Sequence, residues 1–290
     1  MLVSALDKTK LLSLTEWSTL AKRLNVKLRN DWQPEDYRKR RLIVNHDYRF
    51  VYCPIHKNAS TSMMSALFSL VEGRKKQGLS NLSDLQIRIY MSLNHSLSSY
   101  TYASASKILS GDYFKFAIVR NPWARLVSTY ANYFVRLPIE KGIISDMAPA
   151  VASLIYEKYD VNKHLDKITF KEFAEYVAVT KDFESNPHCV SQTQYLAGIG
   201  YDYIAKMESL NSDLLHIAEV LKLPIDMGRN NKTAYSMVCN TIDGCSRLTS
   251  SQIRYLEGGI PDYRKFYTPE LIELVKDRYI QDVENFGYTF

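Results

Sequence analysis

Residues 48–73 read YRFVYCPIHKNASTSMMSALFSLVEG, and this stretch decides the fold. Tyr48 to Ile55 are dominated by aromatic and β-branched residues and bounded by Pro54, which predicts a buried strand. A short polar run, HKNASTS, follows. Met63, Met64, Leu67, Phe68 and Val71 then recur at helical spacing, and Gly73 closes the pattern as a helix stop. The unit is strand, polar loop, helix.

The same grammar repeats downstream. Phe114–Val119 (FKFAIV) predicts a strand, Arg120, Asn121 and Pro122 a turn, and Trp123–Phe134 a helix whose first turn suits Pro122. A third strand is expected at Tyr203–Met207, followed by Glu208 and a helix from about Ser212 to Leu221. A last helix is expected over Pro269–Asn285, with Leu271, Leu274, Val275, Tyr279 and Val283 on one face. Residues 1–45 read as a polar helical extension with Trp17 and Trp32 as docking points, which leaves 46–290 as the main domain. Strands alternating with helices give an α/β fold: a mainly parallel sheet flanked by helices on both faces. Ligands in such sheets bind beyond the carboxyl ends of the strands. His56–Ser62 and Arg120–Ser128 are therefore expected at one rim.

Composition narrows the function classes. The chain has 290 residues, 46% of them hydrophobic, and carries a formal charge of +6. That excess attracts anions without choosing among nucleotides, nucleic acid, acidic glycans and membrane surfaces. The one dense basic run, Arg38–Arg41, reads as a solvated face. The four cysteines, Cys53, Cys189, Cys239 and Cys245, form no CxxC pair, which argues against a zinc ribbon or thioredoxin-type site. Nothing approaches the roughly 20 apolar residues of a membrane helix. These features place the protein in the cytoplasm, as in a bacterial enzyme, or in the Golgi lumen if an N-terminal anchor has been removed.

The two loops carry the chemistry. In Lys57-Asn58-Ala59-Ser60-Thr61-Ser62, small hydroxylated residues open a helix, and free N–H groups at a helix start bind anions. Ser60, Thr61 and Ser62 add hydroxyl donors and Lys57 a mobile positive charge. The same residues also fit an ordinary helix cap. They do not make a G-x-x-x-x-G-K-[ST] loop, because glycine is absent and Lys57 precedes Thr61 by four residues. Arg120, ending a strand, suits a bidentate phosphate contact. Ser128 lies two turns into the next helix, and Arg125 reads as a structural ion pair.

These segments resemble the PAPS-dependent sulfotransferases, where PAPS is 3′-phosphoadenosine 5′-phosphosulfate. YCPIHKNASTSMM resembles their 5′-phosphosulfate loop, and AIVRNPWARLVSTYANYF their 3′-phosphate motif. The nearest branch is the carbohydrate one, which includes the chondroitin, dermatan, HNK-1 and uronyl 2-O-sulfotransferases. NPHCVSQTQYL is similar to that branch's H-W-x-P-Q stretch, DYIAKMESLNSDL to its strand with a glutamate and a nearby aspartate, and the ending to its Y-x-x-D-x-x-x-F-G-Y. Three residues depart from the pattern: Asn121 stands where aspartate is common, Cys189 for tryptophan and Ser191 for proline.

The resemblance implies a P-loop-like fold and PAPS as co-substrate, with no metal. It implies that Lys57 serves the bridging oxygen and the sulfate, that Asn58, Ser60, Thr61 and Ser62 line the 5′-phosphate loop, and that Arg120 and Ser128 hold the 3′-phosphate. Lys232, in a segment resembling a nucleotide-covering loop, adds a phosphate contact. The acceptor implied is a carbohydrate hydroxyl. Its base is expected to be His95, which lies between the two donor loops as the base histidine does in the uronyl enzymes. His188 is the rival and Glu208 a third option, while His216 reads as structural. A nucleotide kinase and a non-catalytic module for nucleotides or polyanions stand as alternatives. A kinase demands Mg²⁺, whereas a sulfotransferase does not.

Overall fold

The computed structural model describes residues 38–39, 41–71, 82–136, 166–182, 185–223 and 244–290. Trp17 and Trp32 of the N-terminal extension, and the Lys232 segment, lie outside the described residues. In chain order the elements are β1 (Ile43–Asn45), β2 (Phe50–Cys53), α1 (Ser60–Val71), α2 (Asp84–Asn94), α3 (Tyr102–Ser110), β3 (Phe114–Val119) and α4 (Pro122–Tyr130). They continue with α5 (Phe170–Val179), α6 (Gln192–Leu196), β4 (Tyr203–Lys206), α7 (Leu210–Leu221), α8 (Ser250–Arg254), α9 (Pro269–Arg278) and α10 (Ile280–Phe286). Two compact units emerge. The first comprises Met1–Ile55, Ala59–Ile118 and Gly198–Asn231, and the second His56–Asn58, Val119–Ala197 and Lys232–Phe290.

The first unit is built on a four-stranded sheet in the order β1-β2-β3-β4. β2 and β3 run parallel, with Phe50 opposite Phe114 and Cys53 opposite Ala117. β1 and β2 are antiparallel, and β1 is a strand where the sequence was expected to be helical. Their hairpin is closed by Asn45, whose Oδ1 accepts from the Tyr48 N–H at 2.8 Å, and by Arg49 at a left-handed φ of 49°. Every residue of β2 is buried, as a strand covered on both faces must be. Because side chains alternate, Phe50 and Tyr52 share a face with Phe116 and Ile118, and Met63, Leu67 and Phe68 of α1 pack in the same core. Burying such side chains stabilises by about 1.5–3 kcal/mol each. Asp213 ties α7 to β4, accepting from the Lys206 N–H at 2.6 Å and the Tyr203 hydroxyl at 3.0 Å. His216 packs its ring on Tyr203 at 4.5 Å, in keeping with a structural role.

The second unit has an aromatic core. Tyr130, Phe134, Phe170, Phe173 and Phe266 are fully buried, with ring centroids 5.4–6.2 Å apart. The expected helix to Phe134 instead turns π-helical after α4, over Ala131–Arg136. Arg254 of α8 binds that stretch's carbonyls, at 2.7 Å to Val135 and 3.0 Å to Phe134. α5 and α8 each start with a capping box, Thr169 with Glu172 and Thr249 with Gln252. The single last helix expected from the sequence is broken at Tyr279 into α9 and α10.

Candidate active site

The second unit gathers the lysine loop and the strand-end arginine. Lys57 and Ala59 adopt left-handed φ values of 69° and 53°. Such residues are uncommon without glycine, and left-handed residues in a turn are how backbone N–H groups form anion-binding concavities. Arg120 Nη1 donates to the Lys57 carbonyl at 3.1 Å, and Arg125 Nε to the His56 carbonyl at 3.1 Å. Asn58 Nδ2 donates to Gln192 Oε1 at 2.6 Å. The loop before α1 is thus tied to the start of α4 residue by residue. Ser128 is half-buried on α4.

The ion pair expected for Arg125 is absent among the described residues. Arg125 is 2% exposed, and its Nη1 donates to the Val190 carbonyl at 2.8 Å. It therefore clasps two chain segments by their carbonyls, because the fork of a guanidinium reaches two acceptors at once. Arg125, Thr129 and Tyr133 follow one another at four-residue spacing, and all three hold the same region. Thr129 Oγ1 donates to the His188 carbonyl at 3.4 Å, and the Tyr133 hydroxyl meets His188 Nδ1 at 2.7 Å. The rings of His56 and His188 lie 4.1 Å apart. Asn186 Oδ1 accepts from the His188 backbone N–H at 3.0 Å and lies 2.9 Å from Nδ1. Nδ1 of His188 thus stands between an acceptor, the Asn186 oxygen, and a hydroxyl that can donate or accept, Tyr133.

Two departures from the family pattern have physical reasons here. Asn121 caps α4 through Oδ1, which accepts from the Trp123 and Ala124 N–H groups at 3.1 and 3.2 Å. Its Nδ2 donates to the Thr289 carbonyl at 2.9 Å, a bond aspartate lacks the hydrogen to make. Ser191 donates its backbone N–H to Asp182 Oδ1 at 3.1 Å and its hydroxyl to Oδ2, neither of which proline has. Burial raises the Asp182 pKa, but the bonds from Ser191 and Arg278 outweigh it and hold the carboxyl below its ordinary range. Asp182, Ser191 and Arg278 help line a cavity of about 250 Å³, where Arg278 Nη2 meets Asp182 Oδ1 at 2.6 Å. Cys189 is buried and its thiol is pushed up to about 12 by desolvation, and Cys53 likewise. Neither is a nucleophile at neutral pH.

The first unit holds the remaining expected residues. Ser60 opens α1, with Thr61 half-buried and Ser62 buried, and no acidic side chain stands in the first turn. The Met63 N–H to Ala59 carbonyl bond, at 2.9 Å, closes the first helical turn. His95 stands in a bend just past the end of α2. It is the C-cap of α2, its N–H bound to the Met91 carbonyl and its carbonyl to the Val44 N–H at 2.7 Å. Its half-buried ring lies 6.2 Å from that of Tyr90. Glu208 is exposed on the 3₁₀ turn Met207–Ser209. Sequence reasoning missed the pairing of His56 with His188 and the buried roles of Gln192 and Asp282. Both of the latter stand in the quoted motifs, and their polar type amid apolar neighbours is the available signal.

Comparison with known proteins decides the family, since residues 40–289 match the profile of the Sulfotransferase family. The chain belongs to the sulfotransferase family. Among curated relatives of this sulfotransferase, carbohydrate sulfotransferase 14 of Danio rerio is 28% identical over 193 residues, 63% of this chain and 48% of the relative. The Homo sapiens protein of the same name is 25% identical over 193 residues, covering 64% and 47%. Carbohydrate sulfotransferase 10 of Xenopus laevis is 23% identical over 277 residues, covering 86% and 67%. The resemblance to the carbohydrate branch therefore holds, and the chain spans about half the length of the first relatives it matches. No solved structure matches. These relatives are carbohydrate sulfotransferases of animals, which overturns the cytoplasmic, bacterial placement. Among the described residues no helix is long and apolar enough to cross a membrane.

Proposed function

We propose that this sulfotransferase moves a sulfuryl group from PAPS to a hydroxyl of a carbohydrate, on a P-loop-like donor site. The observation that carries the reading is the Arg120 guanidinium bound at 3.1 Å to the Lys57 carbonyl. It couples a lysine loop to the arginine of a 3′-phosphate motif, as a donor with phosphate at both ends of its nucleoside requires. The names of the relatives support the carbohydrate acceptor.

In the proposed reaction the acceptor oxygen attacks sulfur and the bond from sulfur to the bridging phosphate oxygen breaks. The acceptor proton passes to the base, and 3′-phosphoadenosine 5′-phosphate (PAP) leaves. Charge grows on the bridging oxygen, so the Lys57 ammonium stabilises the transition state more than the ground state. Asn58 and the hydroxyl and backbone donors of Ser60, Thr61 and Ser62 serve the 5′ end. Arg120 and Ser128 hold the 3′-phosphate, with Lys232 as a further contact. His95 is the proposed base, with His188 on the acceptor side.

Calorimetry tests the donor reading. Wild type should bind PAP far more tightly than AMP, and Arg120→Ala should abolish most of that preference while leaving AMP binding near its starting value. Equal losses for both nucleotides would assign Arg120 to the framework instead.

A further inference from the structure

We infer that Gln192 is a positioning residue that sets the spacing between the Lys57 loop and Arg120, a conclusion that rests on the donor reading above. Gln192 is 0% exposed, and all of its side-chain hydrogen-bonding capacity is used. Its Oε1 accepts from Asn58 Nδ2 at 2.6 Å and from the Arg120 backbone N–H at 2.8 Å. Its Nε2 donates to the Arg120 carbonyl at 2.8 Å and to Asp282 Oδ2 at 3.3 Å. One primary amide thereby pairs with both backbone groups of Arg120, as a neighbouring strand would, just past the point where β3 ends. The residue that presents the guanidinium is fixed, and so is the residue next to Lys57.

Gln192 is itself anchored. Asp282 of α10 accepts from the Gln192 N–H at 2.8 Å, from the Thr193 N–H at 2.7 Å and from the Thr193 hydroxyl at 2.8 Å. Asp282 is also fully buried, and it caps the start of α6 from 90 residues away. Glutamine is the residue this arrangement needs. Glutamate lacks the donor for the Arg120 carbonyl, asparagine is one methylene shorter, and leucine would strand the polar groups around it. The chain assigns one side chain to hold two loops that lie 134 and 72 residues from it in sequence. A misplacement of about 1 Å between two such loops is enough to cost about 10²-fold in rate.

The test compares Gln192→Glu, Gln192→Leu and the double variant Gln192→Glu with Asp282→Asn, on protein whose near-ultraviolet circular dichroism is that of wild type. Gln192→Glu keeps the shape but faces Asp282 and loses the donor to Arg120. It should reduce the preference for PAP over AMP by about tenfold or more and reduce kcat with PAPS, in line with the cost of misplacement. Asp282→Asn removes the repulsion between the two carboxylates and should recover part of both losses. In an Arg120→Ala background, Gln192→Glu should no longer change the preference, because the group it positions is gone. Should Gln192→Leu fail to fold, the charge-swapped pair still decides. A lower melting temperature with the wild-type nucleotide preference and kcat would reduce Gln192 to a framework residue and overturn the inference. If wild type itself shows no preference for PAP, the donor reading fails, and this inference falls with it.

Discussion

Lys57 sits at a left-handed φ of 69°, a conformation that costs roughly 1–3 kcal/mol and persists only where its surroundings impose it. Arg120 and Asn58 supply that imposition through the Lys57 carbonyl and Gln192. Lys57→Ala should therefore leave the fold intact and slow turnover by about 10²–10³, the usual loss for one transition-state charge contact. Turnover of PAPS within a few-fold of wild type would remove Lys57 from the chemistry. The histidines separate by kinetics. His95→Ala is expected to lose about 10²–10⁴ in kcat with near-normal donor binding, as for a general base, while His188→Ala mainly raises the acceptor KM. The opposite pattern would move the base role to His188, whose Nδ1 is held between Asn186 and Tyr133. The proposal for His95 rests on its order between the loops in the sequence. The contact of the His56 and His188 rings was not legible, because it joins residues 132 positions apart (188 − 56) through contacts no local pattern encodes.

At the scale of elements, the strand–loop–helix units were legible because each strand is bounded by turn residues and each helix keeps an apolar stripe. β1 was not, since three residues carry too little alternation to read. α2 escaped because Leu85, Ile87, Ile89, Met91 and Leu93 fall at every second position, the spacing of a strand rather than a helix, although Ser83 and Gln86 spell a capping box at its start. The break between α9 and α10 is hidden because Leu271, Val275, Tyr279 and Val283 carry the apolar spacing straight through it. The departure at Ser191 gives an element-scale prediction. Ser191→Pro restores the residue usual in the family, yet it removes both bonds to Asp182 that brace the approach to α6. It should destabilise by about 1–3 kcal/mol at neutral pH, read from the urea midpoint. The folded pKa of Asp182 lies below the ordinary aspartate value, so this contribution is present above that ordinary value and fades as pH falls through the folded one. A stabilised or unchanged Ser191→Pro protein would contradict the account of that departure.

For the whole molecule, burial sets an alkaline limit. The thiols of Cys53 and Cys189, one in each unit, are raised from 9.0 to about 12. The folded state then binds protons that the unfolded state releases, so stability is full below about pH 9 and falls as pH rises towards 12. Each thiol should contribute a slope of about 1.4 kcal/mol per pH unit within that window. Urea midpoints at pH 8 and pH 10 should differ, and replacing both cysteines by alanine should shrink the difference; an unchanged difference would show that other groups set the limit. Family membership was legible because five motifs in order span most of the chain, whereas the two-unit division was not, since its boundaries fall inside the motifs themselves. The central claim is tested most directly by incubating the protein with radiolabelled PAPS and a panel of desulfated chondroitin, dermatan and other glycans, with divalent cations chelated. The account predicts label in at least one glycan with PAP released in equal amount, and none with Lys57→Ala. Untouched PAPS across the panel, with Mg²⁺-dependent transfer of phosphate from ATP instead, would contradict it.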